Sequence, residues 1–124
     1  MVAGEESMSY VDFFCLPLPI AKEAEYRELA SRFSKIMKDY GLITFCEAIA
    51  DDVPRGKLTD WYRAAAAVEG ETVVAAFYLW PDKETRDRAW DLGMKDPRMG
   101  HDPALLPFDG KRMFWGGFRP LVGG

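Results

Sequence analysis

The chain has 124 residues, of which 48% are hydrophobic and 29% charged, with a formal net charge of −4. That is enough chain to bury a core without disulfides or a structural metal. The acidic balance argues against nucleic acid as a partner, because phosphate binding needs a basic face, and no apolar run reaches bilayer-spanning length.

The opening stretch, Met1 to Ser7, is acidic and polar, unlike a secretory leader. Residues 1–8 are expected to form a disordered extension ahead of a single domain over residues 9–124. Cys15 and Cys46 share no CxxC spacing, and one histidine with two scattered cysteines makes no zinc or iron site. Both thiols are expected to be reduced and buried, in a cytoplasmic protein without metal or cofactor.

Tyr10 to Leu16 reads as a strand, stopped by Pro17 and Pro19, which cannot donate to a ladder. Both its faces are apolar except at Asp12. Ala21 to Tyr40 reads as a helix, because Tyr26, Leu29, Ala30, Phe33, Ile36, Met37 and Tyr40 make one stripe. Glu23–Arg27 and Glu28–Arg32 have the spacing of supporting ion pairs, and Gly41 suits a left-handed C-cap. Leu42 to Ala50 is a second strand, followed by a loop over residues 51–57. Trp61 to Val68, with four successive alanines, is read as a strand in a hairpin with the next segment. Val73 to Trp80 is a strand apolar on both faces. Asp82 is placed to cap a second helix, with Asp82–Arg86 and Glu84–Arg88 pairs, and Asp96-Pro97 ends it. A long loop over residues 96–110 carries His101. The last strand runs from Lys111 to Val122, where Gly116-Gly117 marks a bulge or a close backbone approach.

The order βαβ(β)βαβ is that of an α+β, ferredoxin-like fold with an antiparallel sheet. Helices cover one face of such a sheet. Aromatic residues are 14% of the chain and crowd the strands, so the other face needs cover, and a homodimer through the sheet face supplies it. Short sequence words in a fixed order add to this reading. They are Tyr10-Val11-Asp12, the Pro17/Pro19 pair, Ala50-Asp51-Asp52-Val53-Pro54 with Gly56-Lys57, Trp80-Pro81, Asp96-Pro97-Arg98-Met99, and Pro107-Phe108-Asp109-Gly110-Lys111-Arg112-Met113 with Gly116-Gly117-Phe118. Over Ser9 to Val122 the chain resembles the YbaA-like family of small bacterial proteins of unknown function. The resemblance implies a dimeric α/β barrel, a superfamily that includes cofactor-free monooxygenases, isomerases, haem proteins and regulatory ligand-binding domains. The fold therefore does not select a function.

Several residues could carry chemistry. His101 would titrate near neutrality, with Asp102 as its orienting partner, or it is an ordinary loop residue. Asp12, on an apolar face, is either a pocket acid or base, or one half of an ion pair with Arg112 or Lys111 that fixes register. Arg112 and Arg63 have the planar fork that clamps anions. Phe14, Trp80 and Phe114, with Tyr62, Trp115 and Phe118, could wall an aromatic pocket or simply pack. Three functions remain: a small-molecule binder or cofactor-independent enzyme for an aromatic or anionic ligand; a non-catalytic interaction or regulatory module; and, last, an RNA binder.

Overall fold

The computed structural model describes residues 9–100, 102 and 105–124. The extension expected over residues 1–8, and His101, lie outside the described residues. Four strands form one antiparallel sheet: β1 (Tyr10–Pro19), β2 (Thr44–Ile49), β3 (Glu71–Trp80) and β4 (Phe114–Phe118), in the order β2-β3-β1-β4. This is the α+β, ferredoxin-like architecture that the element order predicts, with the first and last strands paired from Val11–Phe118 to Cys15–Phe114.

Strand β1 runs longer than expected and takes in both prolines, opposite Val73 and Glu71. Ile20 N donates to Gly70 O at the end of this ladder, so the nitrogens of Pro17 and Pro19 point away from β3. Strand β4 has already ended on that side, at Phe114 opposite Cys15. The two missing donors face an edge, where a ladder loses nothing.

Helix α1 (Glu23–Asp39) follows a single 3-10 turn at Ile20–Lys22. It lays Ala30, Ser34, Ile36 and Met37 on the sheet, and complete burial of Ile36 or Met37 contributes about 1.5–3 kcal/mol each. Gly41 closes the helix at φ 109°, with its N–H on Lys38 O and that of Leu42 on Met37 O, the left-handed cap that the sequence predicts. The Glu23–Arg27 pair forms at 3.1 Å.

Trp61 to Val68 is not a strand. Asp60 accepts from Arg63 N at 2.8 Å and caps a short helix, α2 (Trp61–Ala64), so the capping aspartate and the helix preference of alanine prevail over the hairpin reading. The chain then turns through Ala66 at φ 53°. Ala65, Ala67 and Tyr62 pack on Cys15 and Val73, and small side chains let this segment lie close over one end of the sheet.

Helix α3 (Lys83–Arg88) starts at Asp82, which accepts from Thr85 N at 2.7 Å, and continues into a π-helical turn at Ala89–Gly93. The expected Asp82–Arg86 pair gives way to this cap, and Arg86 turns instead to Asp12, while Glu84–Arg88 forms at 3.1 Å. Strand β4 is shorter than read because Lys111 and Arg112 belong to the turn before it: Lys111 N donates to the Asp109 side chain and Arg112 N to Asp109 O. Among the described residues no helix is long and apolar enough to cross a membrane.

The two sheet faces differ. One carries Asp12, Phe14, Leu16, Tyr78 and Trp80 beneath α1 and the π-helical turn. The other carries Phe13, Phe77, Phe114 and Phe118, which are 48%, 38%, 45% and 54% exposed. Cys46 opposes Phe77 across the ladder and is exposed on this open face, whereas Cys15 is buried. Of the two thiols, only Cys15 meets the expectation of burial.

Candidate functional site

Between the helix-covered face and α1 lies a cavity of about 250 Å³. Its floor is Phe14, Leu16 and Tyr78 from the sheet; its roof is Tyr26, Ala30 and Phe33 from α1. Trp90 closes one end, and Met99, Phe108 and Met113 come from the chain around the long loop. The helical stripe predicted from Tyr26 to Tyr40 therefore does two jobs. Its C-terminal part is core, and its N-terminal part roofs a hollow.

One carboxylate enters this apolar wall. Glu47 follows Phe45 by two residues on β2 and shares its face. It accepts from Tyr26 Oη at 2.7 Å through one oxygen and from Tyr78 Oη at 2.6 Å through the other. Burial, then the nearby Glu47 charge and its hydrogen bond, push both phenols well above the ordinary tyrosine range. Both hydroxyls stay protonated and donate. Tyr26 and Glu47 also line a groove of about 450 Å³ between α1 and the edge strand β2. Their hydrogen bond partitions that groove from the cavity.

A second acidic group holds the far wall. Asp12 is fully buried. Its Oδ1 accepts Arg86 Nη2 at 2.7 Å, its Oδ2 accepts the indole N–H groups of Trp80 and Trp90 at 2.9 Å, and Arg86 Nε is shared between the two oxygens at 3.0 and 3.1 Å. Hydrogen bonds to Asp12 raise the Arg86 pKa above its ordinary range despite burial. The guanidinium lies 5.3 Å from the Tyr10 ring centre and 5.9 Å from that of Trp115. Trp115 stacks on Trp90 at 5.8 Å. Asp12 thus fixes the ring that closes the cavity, and its partner is Arg86 rather than the Arg112 or Lys111 expected from strand adjacency.

Arg112 is occupied elsewhere. Its fork meets Glu71 at 2.7 and 2.8 Å, its Nε meets Asp109 at 3.0 Å, and Nη1 also donates to Ala66 O. The Arg112 hydrogen bonds hold the Glu71 carboxyl below the usual carboxylate range. This cluster ties the turn after α2 and the start of β3 to the turn before β4, so its donors are spent on the protein itself. Arg63 likewise donates to Gly56 O and Lys57 O and pairs with Asp60 at 3.2 Å, closing its own loop. Neither arginine lines the cavity. Of the four residues proposed to touch a ligand, Phe14 alone is in its wall: Trp80 is buried beside Asp12, and Phe114 lies on the opposite face of the sheet.

Glu47, Tyr78, Arg86 and Trp90 are the site residues that sequence reasoning misses. Glu47 had the same signal as Asp12, an acid on an apolar strand face. Arg86 was hidden by its i,i+4 spacing from Asp82.

Residues 9–110 match a family model described as a protein of unknown function, DUF1428. The chain belongs to the DUF1428 family. It is 43% identical over 115 residues to the uncharacterised protein YbaA of Escherichia coli (strain K12), covering 93% of this chain and 98% of that one. A YbaA from Shigella flexneri matches to the same extent. Among solved structures, a mutant of SnoaB, a cofactor-independent oxygenase from Streptomyces nogalater, superposes with a TM-score of 0.59 at 14% identity, over 94% of this chain and 96% of the other. A dimeric ferredoxin-like protein from an uncultured marine organism gives 0.56 at 14% identity, over 92% and 94%. At that identity the structures speak for the fold of this DUF1428 member alone.

Proposed function

We propose that the protein is a homodimer that binds a small aromatic molecule in the cavity between α1 and the sheet. The observation that carries the binding half is the cavity itself: about 250 Å³, apolar and aromatic nearly throughout, with a carboxylate at one wall. Binding sites generally combine an apolar lining with a few placed polar groups. The volume corresponds to about eight waters at ~30 Å³ each, the scale of one substituted ring. An anion is the poorer fit, since Arg63 and Arg112 lie outside the cavity, the one arginine at its border, Arg32, is solvent-exposed, and Glu47 would repel it. The oxygenase activity of SnoaB stays with that protein.

The dimer half rests on Phe13, Phe77, Phe114 and Phe118, four partly exposed rings that share one sheet face, since a contiguous exposed apolar surface marks an interaction site. The dimeric marine-organism protein of the same fold supports it as analogy. The same open face is what favours the alternative, an interaction module that takes another protein there.

Ala30→Leu tests the cavity. It fills the space from a helix position and keeps the helix intact. A panel of one-ring compounds should raise the wild-type melting temperature and leave Ala30→Leu unmoved. Equal shifts in both proteins, or none in wild type, would remove the binding reading. For the dimer, sedimentation of wild type and Phe77→Glu should give two chains and one chain respectively. A wild type that sediments as a monomer at tens of micromolar would end that half.

A further inference from the structure

We infer that the cavity selects a small organic cation, an amine on an apolar body, with Glu47 as its counter-ion. The inference rests on the cavity reading above and names the class of its ligand. It comes from three observations taken together.

Glu47 has two neutral partners and no cation. Each oxygen receives one phenol hydroxyl, and among the described residues no arginine or lysine pairs with it, although thirteen other ion pairs form. A carboxylate has about four lone-pair sites, so two remain. A part-buried carboxylate held only by neutral donors gains most from a positive charge. Asp12 is the internal contrast, since Arg86 and two indoles saturate it.

The surroundings suit a cation as well. Phe14, Phe33, Tyr78 and Trp90 line the same hollow. Their rings meet edge to face or tilted, at 5.4 Å for Phe14–Tyr78, 5.6 Å for Phe33–Tyr78 and 5.7 Å for Phe33–Trp90. Aromatic walls around a carboxylate attract a cation by their ring quadrupoles and accept the apolar body by burial. Arg32 also borders the hollow, but it is solvent-exposed and its field is screened.

There is also a place for the charge. The Tyr26–Glu47 hydrogen bond separates the cavity from the groove between α1 and β2. An incoming ammonium takes one of the two lone-pair sites that Tyr26 and Tyr78 leave on Glu47. The carboxylate adds a charged donor to its two neutral ones, and charge-assisted hydrogen bonds are the stronger kind.

The test uses three compounds that share a ring and differ in head group: 2-phenylethylamine, 2-phenylethanol and phenylacetate, titrated by NMR into wild type and Glu47→Gln at pH 7. The amine should bind wild type about tenfold tighter than the alcohol, with phenylacetate weakest. In Glu47→Gln that preference should fall to within about threefold, because the charge is gone and the shape is kept. Backbone shifts across Tyr26 and Tyr78 should report the site. An amine no tighter than the alcohol, a preference that survives Glu47→Gln, or no binding by any of the three would overturn the inference. If neutral one-ring compounds still stabilise wild type and spare Ala30→Leu, the cavity reading stands and only the ligand class falls.

Discussion

Replacing Asp12 by asparagine keeps the outline of the side chain, yet it should be nearly as harmful as alanine. Two donors of Arg86 and two indole N–H groups converge on the carboxylate, with Arg86 Nη2 on one oxygen, the indoles on the other and Arg86 Nε shared by both. An amide has a donor at one end. Placed toward Arg86, its NH2 faces the guanidinium; flipped, it faces both indoles. Either way a donor meets donors in a fully buried site, and Arg86, whose side chain is only 14% exposed, loses its counter-ion. Removing one partner of a buried pair costs about 3–5 kcal/mol. At about 4 kcal/mol and a urea slope of ~1.5 kcal/mol/M, the midpoint moves down by about 2.5–3 M. The assay is urea unfolding by far-UV circular dichroism at one fixed protein concentration, so that any dimer contribution is held constant. The double change Asp12→Leu with Arg86→Met should recover a large part of the loss, because it leaves neither charge stranded. A loss under about 1 kcal/mol for Asp12→Asn would refute the claim that this network is saturated by donors.

Three further outcomes follow from the same structure. Gly117→Ala should destabilise: a Cβ there would stand 2.5 Å from Tyr10 Cε2 and 2.7 Å from Arg86 Nη2, and chemical denaturation should show a loss of about 1–3 kcal/mol. In acid, Glu71 is depressed in the folded state by Arg112. Its stabilisation is therefore complete above the unfolded glutamate value and fades as pH falls through the lower folded value. Thermal melts between pH 6 and pH 3 should show a shallower decline for Arg112→Ala than for wild type. In alkali the sign reverses. Tyr26 and Tyr78 are raised by burial and by Glu47, so their contribution holds below the free tyrosine value of about 10 and is lost as pH climbs beyond it. Tyr78→Phe should flatten the stability decline between pH 9 and pH 11, measured by urea midpoint.

The fold was legible because patterns of period 2 and 3.6 do not depend on distant partners. Tyr10–Leu16, the Tyr26–Tyr40 stripe and Val73–Trp80 read as a strand, a helix and a strand from their own residues, and the Pro81-Asp82 junction carried its own cap. Trp61–Val68 misled because its alanines are compatible with a helix or with close packing. The choice was made by Asp60, seen only when its side chain reaches Arg63 N. Pro17 and Pro19 misled for another reason: proline is excluded from a ladder only where a neighbour needs its N–H, and among the described residues no strand pairs with that side of β1 beyond Cys15.

The site was far less legible, and the two acids show why. Asp12 and Glu47 present one signal in the sequence, a carboxylate alternating with apolar residues on a strand. Their roles separate only through what comes to meet them from elsewhere in the chain. Asp12 is 68 residues from Trp80, 74 from Arg86 and 78 from Trp90, and these fill it with one cation and two indoles. Glu47 is 21 residues from Tyr26 and 31 from Tyr78, and these supply two hydroxyls and no charge. A carboxylate whose partners neutralise it is committed to holding the protein together, as the Trp90 wall shows. One that borders a hollow with its charge unmatched has free energy left for a visitor. The distinction between architecture and recognition in this protein is therefore one of partner charge, and swapping that charge at Glu47 while keeping its shape is the change that separates them.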